Sequence, residues 1–169
     1  MNITDLFVSE LDRETDRSRR VLESLPDGQG DWKPHDKSMP FKHLANMVAT
    51  IPMWITTMLK ENELDIAPVG GSTHQWPSPT TRAEYVAALE KTSAEAKAAL
   101  RSAGEAHLQT PWRLLAGGKV VADHPRHEMI RDTINHWAHH RGQMTVYLRL
   151  MGAKVPALYG PSADDVRFD

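Results

Sequence analysis

Thr4, Leu11, Ser18 and Leu25 recur every seven residues, and Val8, Thr15 and Leu22 recur between them. That spacing marks one buried edge of a long helix and predicts a helix from Thr4 to Leu25. The middle of the seam, Thr15 and Ser18, is polar where a plain core would carry leucine. Either these hydroxyls bond to their own helix backbone, or the face borders something polar. The same period returns three more times. Leu44, Val48, Ile51, Ile55 and Met58 stripe a second helix, from about Met39 to Glu61. Ser38 is its expected N-cap, Pro40 lies in its first turn, and Pro52 puts a kink inside it. A third helix opens at the capping box Thr81-x-x-Glu84, carries Tyr85, Leu89, Thr92, Ala96, Ala99 and Ala103 on its seam, and stops at Gly104. Its alanines permit close approach of a neighbour. A fourth runs from about Pro125 to Met151, with Met129, Thr133, His136, His140, Tyr147 and Met151 along one face and Gly152 at its end.

The segments between them read as connections. Pro26 to Lys37 is dense in turn residues and holds Trp32, which is expected to plug one end of the core. Asp65 to Pro79 is a Pro/Gly/Ser/Thr connection. Trp112 to Ala122 places β-compatible residues around Gly117-Gly118, a short hairpin that has to lie on the helices to be stable. Residues 155–169 form an irregular tail. The expected fold is all-α: one domain over residues 1–169, a four-helix up-and-down bundle with a long crossover and a short β-hairpin before the last helix.

With 169 residues the chain can bury a core without covalent staples. It has no cysteine, which excludes disulfides, thiolate metal sites and a cysteine nucleophile. A net charge of −2 offers no basic field for nucleic acid, and no apolar run is long enough to span a membrane. The acidic, mixed N-terminus does not read as a secretory signal, so the expected location is the cytoplasm.

What remains for metal chemistry is imidazole, and there are 9 histidines. His136 and His140 stand at i and i+4, so they project from one face of the last helix and could share an ion. Chance placement of 9 histidines gives roughly 0.5 such pairs, so spacing alone says little. Position says more, because the pair falls on or beside the core seam, where buried imidazoles need partners. A metal ion and a hydrogen-bonded core pair both meet that need. His139 is a weaker alternative ligand. His35, His74 and His107 fall in loops or at helix ends and read as solvated. His124 and His127 flank the start of the last helix and read as exposed.

These pieces together resemble the DinB-like, or damage-inducible, superfamily. The resemblance is carried by Glu14-Thr15 through Arg20-Val21-Leu22-Glu23, Trp32-Lys33-Pro34, Lys37-Ser38-Met39 and Leu44-Ala45 with Pro52-x-Trp54. It continues through Trp112, Gly117-Gly118, Pro125-Arg126, His136-x-x-His139-His140-Arg141-Gly142-Gln143, Val146 to Leu150 and Tyr159 to Asp164. It implies a homodimeric bundle with one divalent ion, nickel or zinc, held by three histidines. Two match His136 and His140. The third falls at Met47, in a Leu-Ala-x-His-x-Ala-x-x-Pro-x-Trp pattern where this chain has a thioether instead. His43, one turn earlier with its Cα about 6 Å from that of Met47, is the substitute candidate. Asp132, Asn135 and Gln143 are candidates to orient the imidazoles.

Two functions follow. One is a metal-dependent transferase or hydrolase acting through a metal-activated thiol or water. The other is a non-catalytic bundle with a degenerate site that binds a small molecule or a partner. In the second, the mid-helix Gly142 would serve close helix packing.

Overall fold

A proline inside a helix cannot donate to the carbonyl four residues back, and at position 52 this divides the second helical segment in two. The computed structural model describes residues 2–71 and 76–168. His74 lies outside the described residues. The chain forms α1 (Ile3–Glu23), α2 (Phe41–Thr50), α3 (Pro52–Lys60), β1 (Glu63–Asp65), α4 (Arg82–Ser102), α5 (Glu105–Leu108), β2 (Pro111–Ala116), β3 (Lys119–Pro125) and α6 (Arg126–Leu150). Helices α1, α2 and α3 each pack on α4 and α6. No described helix is long and apolar enough to cross a membrane.

Helix α1 starts where the Asn2 side chain accepts from the Asp5 N–H at 2.7 Å. Helix α4 starts at the expected box: Thr81 accepts from the Glu84 N–H, and the Glu84 carboxylate accepts from the Thr81 N–H. Helix α2 departs from expectation. Pro40 adopts ψ 146°, an extended conformation, so it precedes the helix instead of occupying its first turn, and Ser38 is not the cap. The Ser38 N–H donates to the His35 carbonyl in the preceding turn. At the other end, Pro52 leaves the Val48 carbonyl without its helical donor. The indole N–H of Trp137 in α6 takes that place at 2.7 Å. One defect satisfies the other, because a fully buried indole also needs an acceptor.

The all-α expectation gives way to a mostly helical fold with a three-stranded sheet, ordered β1-β2-β3. The hairpin β2–β3 is where the sequence places it, turning through Gly117 and Gly118 at φ 60° and 76°. The strand β1, parallel to β2, is an addition, as is the one-turn helix α5. Asp65 bolts the three together: its carboxylate accepts from the N–H groups of Ala67, Gly117 and Gly118. Those bonds, that of Ala67 first, hold its carboxyl below the ordinary range.

Two arginines are buried in the helical layer. Arg126, 2% exposed, spends its guanidinium on neutral oxygens. It donates to the carbonyls of Met58, Glu61 and Pro111, to Thr110 Oγ1 and to Asn62 Oδ1. The first two of these carbonyls belong to the end of α3, where a cation is favoured. Arg141, 0% exposed, pairs with buried Glu14 of α1. It also donates to Ser18 Oγ at 3.0 Å and to the Glu14 carbonyl at 3.2 Å. The polar seam of α1 is therefore partly explained by a charged partner, although the Thr15 hydroxyl makes no hydrogen bond. Tyr159, from the irregular tail, donates its O–H to Glu14 Oε2 at 2.9 Å and accepts from Arg141. Arg17 and Arg20 donate to the tail carbonyls of Leu158 and Ala157.

Burial alone would raise the Glu14 carboxyl. The charge and hydrogen bonds of Arg141, with those of Tyr159 and Arg17, outweigh it and leave the carboxyl below its ordinary value. Stability from this group is thus present above the ordinary carboxylate range and is lost as pH falls through the folded value.

Arg141→Met should cost up to about 3–5 kcal/mol, because it removes the fully buried cation from a buried carboxylate and leaves only Arg17 and Tyr159 to meet it. The double variant Glu14→Leu/Arg141→Met should be less destabilised than that single variant, as denaturant unfolding would measure. Gly142 offers a second test. A Cβ built there meets nothing within 4 Å, so close packing does not explain this glycine. Gly142→Ala should raise stability by up to about 1 kcal/mol, read as a higher melting temperature.

Candidate metal centre

Helix α6 presents its residues at about 100° intervals, so Trp137, Arg141, Met144 and Leu148 form the inner edge and His136, His140 and Tyr147 the flank beside it. His140 is 6% exposed, whereas His136 opens to solvent. Their rings lie 4.5 Å apart between centroids, and the two Nε2 atoms approach to 2.7 Å. That is hydrogen-bond distance between two neutral imidazoles. Gln143 decides who donates: its Oε1 lies 2.8 Å from His140 Nδ1, so His140 carries its proton on Nδ1. The lone pair on His140 Nε2 then accepts from the Nε2–H of His136.

Burial pushes both imidazoles below the ordinary histidine value. For His136 the charges of His140 and His139 add to it. For His140 the Gln143 bond opposes it, while His139 and His43 reinforce it. The pair is therefore held neutral, the form in which imidazole ligates.

The other named residues fall at different distances from this pair. Of the candidate orienting groups, Gln143 touches the pair directly. Asp132 is exposed and accepts from Arg131 at 3.2 Å, and Asn135 is exposed. The His139 ring stands edge-on to His140, centroids 5.3 Å apart. His43 is exposed and lines a cleft of about 490 Å³ with Lys42, Asn46, Thr80 and Tyr85. Met47 is half-buried against the core. Two histidines expected in solvent are engaged: His107 Nε2 lies 3.0 Å from the Leu59 carbonyl, and His127 Nδ1 lies 3.0 Å from that of Leu108. Both tie α5 to neighbouring helices, a tertiary role that helix-end position does not announce. His35 and His124 are exposed, as expected.

The family model described as the DinB family matches residues 1–167. This chain belongs to that family. A solved DinB-like protein from Bacillus cereus ATCC 10987 is 25% identical, with a TM-score of 0.67 over 90% of this chain and 95% of that one. The DinB-like protein YjoA of Bacillus subtilis, 17% identical, superposes with a TM-score of 0.67 over 95% of this chain and 99% of its own, a likeness of fold alone. YrdA of Bacillus subtilis strain 168 is 44% identical over 41 residues, which is 24% of this chain and 25% of YrdA. The match thus spans about a quarter of that relative's length.

The three-histidine divalent centre implied by the family does not fit the residues present. Among the described residues, no group of three His, Cys, Asp or Glu side chains is placed to hold an ion. Two imidazole donors converge, and position 47 brings a thioether.

The neutral pair has a consequence for pH. A depressed histidine value means that the unfolded chain takes up protons first, so stability is lost as pH falls below about 6.5. The melting temperature of metal-free protein should therefore fall more steeply between about pH 7 and pH 5 than that of His136→Gln/His140→Gln. Equal slopes would show that the pair does not bear on stability.

Proposed function

We propose that this chain is a metal-binding DinB-family protein of the four-helix-bundle type, with α1, the α2–α3 segment, α4 and α6 as its four helices. His136 and His140 hold the ion. The observation that carries this reading is the convergence of two neutral Nε2 atoms, one fixed in its tautomer by Gln143. To hold an ion there, His136 would carry its proton on Nδ1 instead of Nε2, so that both Nε2 lone pairs were free to donate. Gln143 keeps the Nε2 lone pair of His140 directed at the ion, as hydrogen-bonded partners of metal-bound imidazoles do.

Activation of a thiol or water is the chemistry a divalent ion with three protein donors would supply. The third imidazole is missing here, so we assign the chain to ion binding in preference to hydrolysis or thiol transfer. A second reading, a small-molecule binder without an ion, is supported by the cleft beside His43, which Asn46 also lines.

Metal content of untagged protein, purified without added metal, separates the two. The proposal expects close to one transition-metal ion per chain, lost in His136→Ala. Protein that binds no ion, with melting unchanged after nickel, zinc or Cu(I) is supplied, would leave the small-molecule reading.

A further inference from the structure

The flank of α6 that carries the imidazoles faces α2, and two contacts establish how the helices lie. Trp137 Nε1 donates to the Val48 carbonyl at 2.7 Å, and the Tyr147 hydroxyl donates to the Met39 carbonyl at 3.1 Å. Higher numbers on α6 therefore meet lower numbers on α2, and the two helices run antiparallel. Counting from the Trp137–Val48 contact at equal rise, Met47 stands level with about residue 138, midway between His136 and His140. His43 stands level with about residue 142, beyond the pair.

The directions agree with the levels. Round α6, His136 and His140 each lie within about 20° of Tyr147, the side chain that reaches Met39 just ahead of α2. Round α2, the opposite flank is given to α4: Tyr85 donates to the Lys42 carbonyl and Thr92 to that of Ala49. Ala49 lies about 200° from Met47, which leaves Met47 on the side turned to α6. Met47 is half-buried and packs against the core, so its thioether has limited freedom to leave this interface.

We infer that Met47 is the third donor, and that this two-imidazole, one-thioether set selects monovalent copper, Cu(I), over zinc or nickel. The inference rests on the reading of His136 and His140 as ligands. Its chemical basis is softness: a thioether is a poor donor to zinc and nickel and a good one to Cu(I), while imidazole serves all three. The absence of cysteine means that a soft ion has no thiolate in this chain to draw it elsewhere.

The test is an anaerobic competition titration of Cu(I) against a chromophoric Cu(I) chelator, with parallel zinc and nickel titrations, on wild type, Met47→Leu and Met47→His. X-ray absorption at the copper edge accompanies it. Met47→Leu keeps an apolar side chain of similar volume, and its melting curve checks the fold. Cu(I) affinity should drop at least about tenfold in Met47→Leu while zinc and nickel affinities stay within about twofold. Met47→His should raise zinc and nickel affinity, and the wild-type copper spectrum should contain a sulfur scatterer. Cu(I) binding unchanged in Met47→Leu, or a copper shell without sulfur, overturns the inference and leaves the histidine pair standing. Wild type that binds none of the three ions overturns both.

Discussion

The bond from the Trp137 indole to the Val48 carbonyl is the constraint on which the interior depends. It exists because Pro52 cannot donate to that carbonyl. A proline in mid-helix ordinarily costs about 3 kcal/mol, and a buried indole without an acceptor costs more on top. Here each deficit answers the other. The bond also does what apolar packing cannot do alone: it fixes one register between α2 and α6. A slip of a single residue would strand a buried donor and a buried acceptor together. His136 and His140 are positioned against α2 by the residue that sits between them.

The two buried arginines show two ways of keeping a guanidinium out of water. Arg141 meets a carboxylate, and a tyrosine from the tail completes the Glu14 oxygen it shares. Arg126 meets carbonyls, a threonine hydroxyl and an amide oxygen, two of the carbonyls coming from the end of α3, whose partial negative charge stands in for an anion. The first arrangement clamps α1 to α6. The second clamps the start of α6 to the end of α3 and the start of the sheet. Between these clamps α6 is held at both its N-terminal end and its middle, which is the stretch that bears the imidazoles.

Much of the helical layer was legible because period and caps are local signals. The seams of α1 and α4, the Thr81 capping box, the Gly117-Gly118 turn and the break at Pro52 all follow from residues close in sequence. The buried charges were not. Glu14, Arg126 and Arg141 look like surface residues one at a time, and only tertiary partners reveal them. A clue was present: Arg141 lies four residues after Trp137 and three before Met144, on the inner edge of α6, opposite the polar Ser18 of α1. Strand β1 escaped notice because three residues with one buried leucine carry no alternation to detect. At the candidate site, the i,i+4 spacing pointed to the histidine pair and Gln143. Which side chain of α2 stands nearest the pair depends on the register between two helices, which no periodicity contains.

The Glu14–Arg141 pair also bears on how the chain folds. The two residues are 127 positions apart, and Tyr159 comes later still. In the folded chain α1 carries that carboxylate on its inner face, with Arg17 of the same helix beside it. A contact of such sequence separation has to close a long loop before it stabilises anything, so the pair holds the folded state together more than it speeds its formation.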